Sequence, residues 1–289
     1  MRIAWSSVAV AVVLLACSHP SQVSFVNTER PNNVGASQGL PGAGAAHVAD
    51  PNGWSQELPT DDDVIEPEHP LADTRQERAL VHIHGPDGTV CSGVVLGPKL
   101  IATAQRCTRG EKKGVTAVAA PREYRVEVAS SSLTWTNRQA KFVLKPECDW
   151  NELDVAVLVL AEAVPPLVAP LKVASAPGTG AKVSALGFGH CPGQPKNPKE
   201  RVGVVRSVVS ESIVIDVPLC KGDTGGPVMD GRDGEVVGLS SHRDDPEGSP
   251  LRTTTIARLD TTAARNLVAQ AKLLGEGGDA SKVQAVACK

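Results

Sequence analysis

Two textures divide the chain. From residue 78 onward, short apolar runs alternate with turn residues. Segments 79–84, 90–96, 100–104, 124–129, 139–144, 155–160, 182–187, 202–209, 213–217, 227–229, 235–240 and 253–258 carry the alternating or continuous apolar pattern of β-strands. Strands this short and this closely spaced predict an antiparallel barrel or sandwich. Only the end has a helical period: Ala264, Leu267, Val268, Ala271 and Leu274 share one face, Asp260 is placed to cap it, and Gly275 to stop it. The count suits an all-β fold of two six-stranded barrels followed by a C-terminal helix. Upstream, Pro20, Pro31, Pro41, Pro51, Pro59, Pro67 and Pro70 break up a stretch rich in Gly and Asn that includes the acidic run Asp61, Asp62 and Asp63. No periodicity survives there, which predicts a disordered tether with a span of roughly 40 Å. Before it, residues 3–16 are small and apolar behind Arg2. At 1.5 Å per residue that run covers about 21 Å, short of a hydrocarbon core of about 30 Å, so it reads as an export signal. The expected organisation is a signal at 1–16, a tether at 17–75, a double barrel at 76–276 and a tail at 277–289.

Composition narrows the function classes. With 29 Lys and Arg against 32 Asp and Glu, the net charge is −3, which gives no basic surface for nucleic acid or anionic lipid. The aromatics are 4 Trp, 1 Tyr and 3 Phe, so the core must come from Val, Leu, Ile and Ala. That suits strands better than aromatic carbohydrate-binding platforms. The 7 cysteines are an odd set for an exported chain.

One cysteine has a separate explanation. Leu14-Leu15-Ala16-Cys17 resembles the lipobox of bacterial lipoproteins, in which cleavage precedes the cysteine and its sulfur carries diacylglycerol. Ser18 stands where an Asp would retain such a protein at the inner membrane. The resemblance therefore implies an outer-membrane lipoprotein, in contact with the membrane through its anchor.

A second resemblance covers most of the predicted barrels. The run from Cys91-Ser92-Gly93 through Thr103-Ala104-Gln105-Arg106-Cys107 resembles the catalytic-histidine block of chymotrypsin-like serine proteases. Leu153-Asp154-Val155-Ala156 is similar to the strand that brings the family's aspartate, and Gly187-Phe188-Gly189 to its Gly-aromatic-Gly segment. Cys220-Lys221-Gly222-Asp223-Thr224-Gly225-Gly226-Pro227 is similar to its nucleophile loop. The resemblance implies degenerate triad positions at Arg106, Asp154 and Thr224, an oxyanion hole at Gly222 and Thr224, and a specificity pocket around Pro218, Ser241, His242, Arg243 and Leu251.

The departures remove the chemistry. A hydroxyl nucleophile needs an imidazole to take its proton, and Arg106 stays protonated. Thr224 adds a methyl that restricts its rotamers, and an internal threonine lacks the N-terminal amine that activates threonine nucleophiles. Nothing resembles the family's inserted N-terminus, so Asp223 lacks that ammonium, and restoring Arg106 to His and Thr224 to Ser is expected to recover little activity. Arg243 and Leu251 are expected to fill the pocket. Arg106 and Asp154 are expected to pair, turning a catalytic dyad into a structural clasp.

The other candidates read as structural. His82 and His84 share a face of a predicted strand, a spacing that would suit a metal, but no nearby carboxylate or cysteine pattern completes a site. His190 lacks a zinc motif around it, and His242 is a remote candidate for a rescuing base. No cofactor is expected. With Cys17 lipidated, six cysteines remain. The resemblance implies Cys91 with Cys107; of the three pairings of the rest, Cys191 with Cys220 and Cys148 with Cys288 is favoured. The resulting expectation is a lipid-anchored pseudoprotease that binds a protein or peptide partner in the cell envelope. The rivals are an endopeptidase with an unconventional base and a purely structural lipoprotein with a closed cleft.

Overall fold

The computed structural model describes residues 72–118, 123–189, 200–243 and 253–288. The expected signal, Cys17 and nearly all of the expected tether lie outside them. The described chain opens with a short helix, α1 (Arg75–Ala79), where the tether was expected to be ending. Thr74 and Glu77 explain it: the Thr74 hydroxyl accepts from the Glu77 N–H while the Glu77 carboxylate accepts from the Thr74 N–H, a reciprocal cap.

Strands β1 (Leu80–His84), β2 (Val90–Gly97), β3 (Leu100–Thr103), β5 (Arg125–Ala129), β6 (Trp135–Lys145) and β7 (Ala156–Leu160) close the first barrel through the β6–β7 pairing. Strand β4 (Gly114–Ala117) adds to the edge of β6. It escaped the sequence reading because its four residues are half-buried or exposed, without alternation. Strand β6 runs well beyond the expected 139–144, because its first half pairs with β5 and its second half with β4 and β7. The second barrel is β8 (Lys182–Ala185), β9 (Arg201–Val208), β10 (Ser212–Ile215), β11 (Pro227–Asp230), β12 (Val236–Arg243) and β13 (Thr254–Arg258), closed in the order β10-β13-β12-β11-β8-β9. All named pairings are antiparallel.

Aliphatic side chains fill both interiors. Ile83, Val94, Ile101, Val126, Val143 and Leu158 are buried in the first barrel, and Val183, Ile213, Ile215, Val228, Val237 and Ile256 in the second. Each such side chain contributes about 1.5–3 kcal/mol of transfer free energy, and β-branched residues suit the pleated surface. Helix α2 (Thr262–Gly275) follows the second barrel but packs back on β7 of the first, burying Ala263, Ala264, Leu267, Ala271 and Leu274. Val268 is only partly buried. Its cap is Thr261 rather than Asp260. Arg258 binds the Asp260 carboxylate at 2.9 and 3.0 Å, and the Ala176 N–H donates to it as well, so that side chain is already committed.

The tail does not trail away. The Glu147 N–H donates to the Val286 carbonyl at 2.9 Å, and Cys148 is bonded to Cys288. Cys91 is bonded to Cys107, with an S–S distance of 2.03 Å. Cys220 is also in a disulfide. The other four described cysteines pair with one another, so its partner lies outside the described residues, as the expected Cys191 does.

Candidate active-site cleft

Register brings the first two candidate residues together. Thr103 on β3 pairs with Ala156 on β7. The chain leaving β3 into a 3-10 turn (Gln105–Thr108) therefore passes the chain entering β7, and the Cys91–Cys107 bridge ties that turn to β2. Arg106 and Asp154 meet at this end of the barrel. The Arg106 Nε donates to Asp154 Oδ2 at 2.7 Å, and the Arg106 backbone N–H donates to Oδ1 at 3.0 Å. The guanidinium thus gives the carboxylate one bond and the main chain gives the second, instead of a two-pronged fork from the side chain.

The rest of the guanidinium is held by other groups. Nη2 lies 3.3 Å from Ser241 Oγ and 3.3 Å from His242 Nδ1, and the planar carbon sits 4.2 Å over the Trp150 ring. Ser241 Oγ donates to Asp154 Oδ2 at 2.7 Å. Arg106 has only donors and the Ser241 proton points to Asp154, so His242 Nδ1 is the acceptor in this network. Asp154, 3% exposed, has both oxygens satisfied, which is what a buried carboxylate requires.

The nucleophile loop lies between β10 and β11. Thr224 is half-buried, and its carbonyl accepts from the Ser92 N–H at 2.8 Å. Ser92 also donates its hydroxyl to the Gly222 carbonyl at 2.8 Å, which fixes the loop to β2. Gly225 has φ +85, and a Cβ there would lie 2.2 Å from Thr103 Oγ1, so only glycine fits. Among the described residues, no acceptor takes the N–H of Gly222 or Thr224. The two donors flank Asp223, whose own N–H is given to the Cys220 carbonyl, on a turn with φ +104 at Gly222.

Behind the loop, Asp223 is fully buried, and in place of the N-terminal ammonium that the sequence was expected to lack, another cation meets it. Arg201 Nη1 donates to Asp223 Oδ2 at 2.6 Å, the Cys220 N–H to the same oxygen at 2.8 Å and the Gly189 N–H to Oδ1 at 2.7 Å. A Cβ on Gly189 would sit 2.3 Å from the carboxyl carbon of Asp223, which explains the Gly-aromatic-Gly segment physically. Arg201, at the start of β9, was not singled out from the sequence. Its only signal was a basic residue opening a strand.

Beside the Arg106 cluster is a cavity of about 570 Å³ lined by residues including Trp150, Glu152, Glu211, Ser241, His242 and Thr255. Of the expected pocket residues, Ser241 and His242 line it, while Pro218 is half-buried elsewhere. Leu251 and the Arg243 side chain, the expected filling, lie outside the described residues. Glu211 Oε2 is buried with no hydrogen-bond partner among the described residues. An orphaned carboxylate oxygen beside a cavity favours a cationic donor as its occupant.

The early histidines do gain a carboxylate, from a strand the sequence pattern did not connect to them. Glu127 Oε2 lies 3.0 Å from His82 Nδ1 and 3.1 Å from His84 Nε2. Burial pushes the Glu127 carboxyl upward, but the contacts from His82 and His84 outweigh it and hold the group at about 2. Burial pulls His84 below its ordinary value against the opposing pull of Glu127. His190 lies outside the described residues.

A family model described as a trypsin-like peptidase domain matches residues 91–239. Among solved structures, the inactive form of the Rv3671c protease is similar at 21% identity and a TM-score of 0.48, covering 65% of this chain and 87% of that one. A serine-to-alanine mutant of Rv3671c from M. tuberculosis H37Rv, also an inactive form, is similar at 21% identity and a TM-score of 0.48, covering 68% and 88%. A search of curated proteins finds no match.

Proposed function

The chain belongs to the trypsin-like peptidase domain family, and we propose that within it this protein is a pseudoprotease: a lipid-anchored envelope protein that binds a polypeptide and does not cut it. The observation that carries this reading is the Arg106 cluster. A guanidinium bonded to Asp154 and facing Ser241, His242 and Trp150 takes the place of a proton acceptor, and it cannot become one. His242 Nδ1 is engaged by the same guanidinium, which speaks against rescue from that side. Loss of one triad member in a serine protease lowers turnover by about a million-fold, and Thr224 stands in a second such position.

Binding capacity is what remains. The free N–H pair at Gly222 and Thr224 suits a carbonyl oxygen, and the cavity with Glu152 and Glu211 suits a basic side chain. The partner of this reading is a peptide segment with a cationic residue, presented to a domain held off the outer membrane by the tether and Cys17.

A fluorophosphonate probe tests the chemistry. The wild-type chain is expected to remain unlabelled. The double variant Arg106→His with Thr224→Ser is expected to label, in contrast to the expectation from sequence, because Arg201 supports Asp223 without any inserted N-terminus. Labelling of wild-type Thr224 would make the protein a serine-type endopeptidase homologue and end the pseudoprotease reading.

A further inference from the structure

We propose that His82, His84 and Glu127 form a zinc-binding site on the first barrel, remote in function from the degenerate triad. Strand alternation puts His82 and His84 on one face of β1, and the β1–β5 register sets Glu127 directly across from His82. The three ligand atoms lie within 4.8 Å of one another, with the two nitrogens 3.0 and 3.1 Å from the shared oxygen. Tetrahedral zinc with bonds of about 2.0–2.1 Å keeps its ligand atoms about 3.3 Å apart, so small outward shifts from the oxygen and a closing of the two imidazoles seat the ion.

The donor set and its surroundings agree with that occupant. Two imidazoles and one carboxylate make up a set that zinc takes where a fourth position stays open, whereas calcium and magnesium favour oxygen alone. His84 Nε2 is closed to solvent and, despite its distance of 3.1 Å, is not aligned for a hydrogen bond with Glu127. A cation between that nitrogen and the carboxylate would satisfy both. The other Glu127 oxygen faces Arg125 Nη2 at 3.3 Å, which orients Oε2 toward the histidines as an outer partner does in a metal site. The His82 ring is stacked on Phe188 at 4.6 Å, which holds its plane.

Titration of the full chain with zinc sulfate alone tests the site. One ion per chain is expected at this cluster, and cobalt(II) in its place is expected to show the visible absorption of a tetrahedral centre. His84→Gln should weaken zinc at least about tenfold and remove the cobalt absorption, while His190→Gln should change neither. Metal-free thermal melting shows whether His84→Gln is folded; if it is not, Glu127→Gln, nearly the same shape, takes its place. Absence of zinc uptake by the wild-type chain, or equal zinc affinity in the wild-type chain and the folded variant, overturns the proposal.

Discussion

The two barrels each contain a buried aspartate bonded to an arginine, and the two pairs have opposite consequences. In the first barrel, Arg106 and Asp154 meet at 2.7 Å, with side-chain exposures of 18% and 2%. In the second, Arg201 and Asp223 meet at 2.6 Å, with 13% and 1%. The chemistry of the pairs is the same, and their positions differ. A guanidinium beside Asp154 has donors only and cannot take a proton from a nucleophile. A guanidinium beside Asp223 stands where only a positive charge is required, and so it keeps the nucleophile loop in shape. The comparison teaches that a fixed cation can replace an ammonium but cannot replace a base.

Breaking the second pair should cost most. Arg201→Ala leaves a fully buried carboxylate with only backbone donors, and a loss of about 3–5 kcal/mol is expected in denaturant unfolding. Arg106→Ala should cost less, about 2–3 kcal/mol, because Ser241 and the Arg106 main chain still hold Asp154 and the arginine is nearer to solvent. If Arg106→Ala proved the more damaging of the two, or left the melting temperature unchanged, this ordering of the clasps would fail.

The smallest expected effect comes from acid acting on the Glu127 cluster of the first barrel. Glu127 is held at about 2 against an ordinary 4.5. Its contribution is therefore full above about 4.5 and is lost as the pH falls from there toward 2. His84 acts in the same direction: lowered from 6.5, it leaves the unfolded chain to take up the proton first as the pH drops. Unfolding measured in metal-free buffer from neutral pH downward should show stability falling. Glu127→Gln should flatten the decline below about 4.5; an unchanged slope in that variant would count against Glu127 as its source.

Much of this was legible along the chain. Aliphatic runs and turn residues indicated twelve of the thirteen strands among the described residues, and motif spacing led to Arg106, Asp154 and Thr224. Short β4 had no pattern to show. The Asp260 cap misled because Arg258, two residues earlier, competes for the same carboxylate. The histidine pair looked incomplete because its carboxylate is 43 positions beyond His84 and arrives only by strand pairing.

The sequence by itself determined the strand pattern, the family and the presence of an arginine at position 106, since these depend on residue type and local spacing. Tertiary structure decided the partners: that Arg201 rather than an N-terminus meets Asp223, that Trp150 and His242 flank Arg106, and that Glu127 lies between His82 and His84. The physical reason is that a charge or a ring declares what it can bind, but which group it reaches depends on barrel closure and strand register. Those bring together side chains whose separation along the chain carries no sign of their contact.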